Sequence, residues 1–262
     1  MALPNELTFI IDLLALFGVY LIVSLSLNLE FGFAGIPNFG KVLSVAAGAF
    51  VVGFLPGRLA VMILGIHGLD YVRDNSRVVT QVNSLLQSNI PIALLLLLVT
   101  LVVAAAVGAV MGFIASYPTR RLREDYLAMT LLAMGEALRV VGYNYAPLIG
   151  GTLGVQVPDP FAYIPGEFRF AVATVAILAI AGLMLIYVES TVRSPLGRTL
   201  KALRDNEVAA SSLGKNVSSL RLKTLLVGSA VAAIGGAIYA FYTGGVIAIT
   251  YNRADWTFLP WI

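Results

Sequence analysis

The 262-residue sequence predicts an all-α polytopic membrane protein, a transmembrane helix bundle of about six spans, on three observations. Hydrophobic residues make up 59% of the chain and charged residues 12%, against roughly 45–50% and about 25% in a soluble domain. That leaves too little charge to cover a water-facing surface. Several apolar runs reach the roughly 20 residues a helix needs to cross hydrocarbon. Basic residues gather in two of the segments between those runs, as Lys and Arg do in cytoplasmic loops.

The first run, Leu7–Leu29, has no basic residues before it, so it reads as a retained span and not a cleaved signal. Asp12 lies well inside it without a local partner, which points to a neighbouring subunit or to a place nearer the interface. A glycine-rich stretch follows, where Gly32 and Gly35 are set to break the helix. Broken backbone is tolerated at membrane depth only where protein or water surrounds it. Asn28 and Asn38 flank the break and could hydrogen-bond a passing polar solute; a cytoplasmic turn or packing kink is the other reading.

The next span, Val42–Leu64, is interrupted by Pro56-Gly57, and His67 and Asp70 fall in a solvated external loop. Ile90–Ser116 is the third span, carrying Ala104, Gly108, Gly112 and Ser116 at every fourth residue. Small residues at that spacing let two helix backbones approach closely. Arg120, Arg121 and Arg123 mark a cytoplasmic loop. Tyr126–Tyr143 is a weaker span because it holds Glu136 and Arg139, three apart on one face and able to pair. Ionisable residues within a span mark a pathway or an internal pair, and both readings stand for Glu136.

Asn144–Glu167 contains no Lys or Arg and reads as external; Phe168–Val188 is the fifth span. Glu189–Lys223 then carries seven basic residues, and Leu222–Ile249 is the sixth span, with Gly228, Ala232, Gly236, Ala240 and Gly244 in a stripe. Counting spans back from the two basic segments places the N-terminus outside. Residues 1–262 are expected to form a single transmembrane domain.

Composition also excludes some chemistry. There is no cysteine, and His67 is the only histidine, so thiolate and multi-histidine metal sites have no residues to use, and a Ser/His/Asp arrangement within the chain would depend on His67 alone. No metal site, catalytic residue or nucleic-acid partner is expected. No GxxxxGK[ST] phosphate loop occurs.

The segment Ser194–Asn216 has the marks of two short helices. Ser194-Pro195 is a hydroxyl cap followed by proline at the first helical position. Asp205 and Asn206 offer a second cap, and Gly214 suits the left-handed residue that closes a helix. Val208, Ala209 and Leu213 make an apolar ridge bordered by Lys201, Arg204 and Lys215. Such a pair suits another protein's groove, or is a solvated amphipathic loop at the membrane surface.

Glu207-Val-Ala209-Ala210-Ser-Ser-Leu213-Gly214 resembles the "EAA…G" coupling loop of ABC-importer permeases, with Val208 between the glutamate and the alanines. Arg193–Glu207, Leu27–Gly40, Tyr126–Arg139 and Gly150–Gly154 are each similar to segments of branched-chain amino-acid permeases of the LivM type, in the same order. The resemblance implies a permease subunit moving branched-chain amino acids or similar small polar solutes across the cytoplasmic membrane of a prokaryote. Urea or a short amide is the alternative cargo, and a passive channel the alternative mechanism. It further implies a second permease subunit, two cytoplasmic ATPases that bind and hydrolyse the ATP, and an external solute-binding protein. The coupling loop is then about residues 190–221, with Arg204, Glu207, Ala209, Ala210, Leu213 and Gly214 at the ATPase contact. Asn28, Gly32, Gly35, Asn38 and Glu136 are candidates for the translocation path. Family members continue past the equivalent of Trp256–Ile262 through at least one further membrane hairpin, so the family's C-terminal spans are expected to be missing from these 262 residues.

Overall fold

A computed structural model of the chain describes residues 4–65, 69–119, 122, 124–166 and 168–262. Five helical runs among these are long and apolar enough to cross a membrane: Asn5–Phe33, Lys41–Leu64, Ile90–Thr119, Phe168–Arg193 and Val217–Thr243. They contain α1 (Asn5–Leu27), α2 (Lys41–Ile63), α4 (Ile90–Thr119), α7 (Phe168–Arg193) and α10 (Val217–Thr243). Between α2 and α4, α3 (Asn75–Ser88) is a short amphipathic helix whose Val78, Val82 and Leu86 pack under Tyr71 and Ala60.

The remaining expected span, Tyr126–Tyr143, falls on α5 (Glu124–Asn144), which is not among those five but whose 21 residues make about 31 Å of helix. It starts beside Leu43 and Ala115, where Leu127 and Leu131 join them in one cluster. It ends where Gly142 meets Phe50 and Ile149. Short α6 (Ala146–Ile149) and strand β1 (Val155–Gln156) follow, and β1 pairs antiparallel with β2 (Gly245–Val246) after α10. Between α7 and α10 stand α8 (Pro195–Asp205) and α9 (Glu207–Ser212), and the described chain closes with α11 (Leu259–Trp261).

The connections segregate to two ends. The α1–α2 turn, the α4–α5 junction and the α8–α9 pair share one, the basic end. The α2–α4 connection, β1 and β2 share the other. The expected loop arginines Arg120, Arg121 and Arg123, and His67, lie outside the described residues.

Helix crossings use the small-residue stripes. A Cβ on Gly48 would overlap the Ala233 carbonyl, and one on Gly236 would overlap the Val45 carbonyl, so α2 and α10 meet backbone to backbone. On α4, a Cβ at Gly108 or Gly112 would run into Ala233, Ser229 or the Leu225 carbonyl of α10. This close approach is what glycine permits.

Three expectations need correction. Pro56-Gly57 does not interrupt the second span; α2 runs unbroken from Lys41 to Ile63, since helix packing against α4 and α10 supports it where one backbone bond is lost. The last span does not reach Ile249. It stops at Thr243 because Gly244 turns left-handed, φ +68°, and donates back to the Phe241 carbonyl. Gly244 is thus a helix stop and not part of the packing stripe. The first span does not end at Leu29 either: it winds into a π-helical turn over Asn28–Phe33.

Beyond α10 the chain turns back into the bundle. Residues 244–253 are largely non-helical, and a π-helical turn over Ala254–Phe258 leads into α11. Tyr251 meets Phe50 edge-on at 6.1 Å, Trp256 stacks on Tyr20 at 5.4 Å, and Trp261 stacks on Phe39 at 4.7 Å. Those contacts step toward the basic end, where the Val42 N–H donates to Thr257 Oγ1. Residues 244–261 therefore form an interrupted crossing against α1 and α2.

Candidate functional site

The α8–α9 pair is built as its sequence predicts. The Ser194 hydroxyl accepts from the Gly197 N–H, and Asn206 Oδ1 accepts from the Ala209 N–H at 2.9 Å, capping α8 and α9. Gly214 adopts φ +76°, a conformation glycine enters without the Cβ penalty. Leu200, Leu203 and Ala210 face inward. Val208 and Leu213 do not: they are 76% and 81% exposed, with exposed Ala209 beside them. The pair thus presents an apolar ridge outward from the basic end.

Two contacts tie this pair to the spans. Arg204 Nη1 donates to the Gly32 carbonyl at 2.6 Å, while its other nitrogens hold Asp205. Glu207 Oε2 pairs with Arg221 Nη2 at 2.6 Å, joining α9 to the start of α10. As an exposed pair, the second contributes at most about 1 kcal/mol. Its importance is where it attaches.

Gly32 and Gly35 belong to the first of these attachments. Gly35 has φ +69°, and a Cβ there would press on the Arg204 Cα and Cγ. The structure thus places both glycines under the α8–α9 pair. Asn28 is exposed, and its side chain covers Gly32. Asn38 is buried and donates to Glu30 Oε2 at 2.8 Å.

That carboxylate is part of a fully buried ion pair: Lys41 Nζ lies 2.7 Å from Glu30 Oε2, and neither side chain has any solvent exposure. Glu30 sits in the π-helical turn and Lys41 opens α2, so the pair closes the loop between the first two spans. The other carboxylate oxygen rests against Gly228 of α10 and makes no hydrogen bond. Sequence reasoning passes over Glu30 and Lys41. The available signal was one acid and one base bracketing the glycine-rich stretch, at the ends of two adjoining spans.

Glu136 stands apart, on the half-exposed face of α5, where Arg139 Nε donates to both of its oxygens at 3.1 and 3.0 Å. Asp12 has a partner after all: the Tyr242 hydroxyl of α10 donates to it. Asp70 accepts from the Arg73 and Val72 N–H groups, which hold its carboxyl below the usual range. Beside it, burial pushes the Tyr71 phenol up to about 12, and its hydroxyl donates to the Gln156 carbonyl. Among the described residues no group of three His, Asp or Glu side chains is placed to hold a metal ion.

A family model described as "Branched-chain amino acid transport system / permease component" matches residues 9–262. A probable branched-chain amino acid transport permease protein LivM of Methanocaldococcus jannaschii is 41% identical over 256 residues, covering 96% of this chain and 74% of that protein. The high-affinity branched-chain amino acid transport system permease protein LivM of Salmonella typhimurium is 29% identical over 60% of this chain and 42% of its own length. A guanosine ABC transporter permease protein of Bacillus subtilis, NupQ, is 28% identical over 54% of this chain and 47% of its own. No solved structure matches the chain.

Proposed function

The chain belongs to the branched-chain amino acid transport permease family, and from that premise we propose that it is a membrane-spanning subunit of an ATP-driven importer, carrying branched-chain amino acids inward across a prokaryotic cytoplasmic membrane. The basic end faces the cytoplasm, where Lys and Arg concentrate, and the N-terminus faces outward. A second permease subunit completes the path, two cytoplasmic ATPases hydrolyse ATP, and an external binding protein delivers the solute. This chain supplies no ATP chemistry of its own.

The observation that carries this reading is the capped α8–α9 pair with its ridge exposed and its underside latched. Val208 and Leu213 are large apolar residues left open to solvent, as expected of a helix that lies in a partner's groove. Arg204 attaches the pair to the α1–α2 turn and Glu207 attaches it to α10. Closure of an ATPase dimer against the ridge would push both attachments together. Those spans cross at Gly48 and Gly236, so the push becomes a rigid-body tilt, the usual basis of alternating access.

The double substitution Val208→Asp with Leu213→Asp tests the reading. Both side chains are exposed, so folding changes by about 0.5 kcal/mol or less. The variant is expected to reach the membrane at the normal level, to lose the co-purifying ATPase and to stop uptake of radiolabelled leucine. Normal ATPase retention and uptake would show that the ridge is not the ATPase contact, and uptake with no ATPase co-purifying with the parent either would favour a passive facilitator.

A further inference from the structure

The interrupted crossing after α10 carries charges that the α8–α9 attachment does not use. Tyr251 and Trp256 anchor it inward, and Arg253 and Asp255 between them point outward and are exposed. Asn252 fixes this turn: its Nδ2 donates to Asp255 Oδ2 at 2.7 Å, and its Oδ1 accepts from the Asp255 N–H. Among the described residues neither Arg253 nor Asp255 makes an ion pair with another side chain. Arg253 is within electrostatic reach of Glu136, which Arg139 already neutralises, and Asp255 is within reach of the Tyr20 and Tyr239 hydroxyls.

This face cannot rest on lipid. A charge exposed to hydrocarbon costs about 2.5–3.5 kcal/mol even on the mildest scale, and here one of each sign stands two residues apart. Non-helical backbone at this depth must be covered by protein or line an aqueous cavity. A cavity of about 1100 Å³ does open at the end opposite α8–α9, between the start of α3 and residues 243–251. Arg73, Asp74, Arg77, Tyr239, Thr250 and Tyr251 are among the residues lining it. The Tyr239 ring lies 4.8 Å from that of Trp256, the neighbour of Asp255. Thr250 and Tyr251 line the cavity, and the charged turn follows them directly in the chain.

We propose that the turn Asn252–Asp255, with Tyr20 and Tyr239, is a selecting station on the permeation path for a zwitterionic α-amino acid, Asp255 receiving the ammonium group and Arg253 the carboxylate. The proposal rests on the permease reading and adds to it the place and chemistry of the contact. One acid and one base make a station with no net charge, matched to a solute with no net charge. Neither group has an ion-pair partner among the described residues, so a solute of opposite local charge supplies one to each. The anchoring rings keep the turn rigid, which lowers the ordering cost of binding. The interruption of the helix is what lets residues 252–255 project together, as broken helices do in other transporters.

The chain contains no cysteine, so single cysteines report directly. Asn252→Cys, in the native transporter in membrane vesicles, is expected to react with an impermeant cationic thiosulfonate, and saturating leucine is expected to slow the reaction. Leu98→Cys and Leu183→Cys, on exposed apolar faces, should be inert to that reagent and react only with a membrane-partitioning maleimide. Asn252→Cys behaving like those two controls would place the turn against lipid and overturn the proposal. Reaction without leucine protection would overturn it in favour of a contact between permease subunits.

As the second measurement, D255N is expected to lower leucine uptake about tenfold or more, the loss typical of breaking a desolvated charge pair, while the ATPase stays bound. R253Q should lose the preference for leucine over leucinamide, which lacks the carboxylate. Normal uptake and preference in these variants would sink the station, yet leave the permease reading intact as long as the ridge variant above still loses its ATPase.

Discussion

Replacing Lys41 with methionine while keeping Glu30 is expected to remove most of the folded protein from the membrane. Taking one partner from a buried ion pair costs about 3–5 kcal/mol, because the remaining charge has neither water nor a counter-ion. That is a large share of the 5–15 kcal/mol that typically holds a domain together. Glu30 would keep only the Asn38 amide, with its second oxygen facing the Gly228 backbone. Fluorescence-detected gel filtration of detergent extracts would show the monodisperse peak fall and its melting temperature drop. Glu30→Leu should be equally damaging, since it strands the ammonium group. The double variant Glu30→Leu with Lys41→Met should recover much of the loss, because two apolar groups carry no buried charge. If either single variant proved as stable as the parent, the pair would not hold the α1–α2 loop.

The second large effect is expected at the crossing of α2 and α10. Valine at Gly236 would drive its Cβ into the Val45 carbonyl, and valine at Gly48 into the Ala233 carbonyl. Overpacking a core commonly costs about 1–3 kcal/mol when side chains can shift. Here the obstructing atoms are backbone, which cannot move without separating the helices, so the upper end of that range is expected at each site. Gly182 on α7 is the matched control: a Cβ there meets nothing within 4 Å, and alanine should be neutral or slightly stabilising. Thermal stability of the three variants, read side by side, separates a packing requirement from a general intolerance of substituted helix glycines. Equal melting temperatures for Gly182→Ala and Gly236→Val would contradict it.

Features local in sequence are legible from the residues alone. The α8–α9 caps at Ser194 and Asn206 and the stop at Gly214 follow from residue chemistry within a few positions, and all three form. The spans were legible because hydropathy accumulates over about 20 residues whatever the tertiary context. Their ends were less so. Apolar residues continue past Gly244, so hydropathy alone does not show that its left-handed turn ends α10 and leads into β2, which pairs with β1 some 90 residues earlier in the chain.

Contacts between distant residues were not legible. Asp12 has no partner nearby in the sequence because Tyr242 reaches it only across the bundle. Gly32 and Gly35 read equally well as a cavity lining or a turn until Arg204 is seen above them. Of the proposed path residues, Asn38 joins the buried Glu30–Lys41 pair and Glu136 lies within electrostatic reach of Arg253. The sequence shows those two charges without showing that the chain folds back to bring them beside α1 and α10. An interrupted crossing has no hydropathy signature long enough to register as a span.

The central claim is that the α8–α9 pair sits in the cytoplasm with its ridge against an ATPase, and a single cysteine at Val208 tests it most directly. In intact cells Val208→Cys should resist an impermeant maleimide. After permeabilisation it should react, and a short maleimide carrying a photoactivatable group should join it to the ATPase subunit. Labelling of that cysteine in intact cells would put the ridge on the outer face, where no cytoplasmic ATPase can reach it, and would contradict the account.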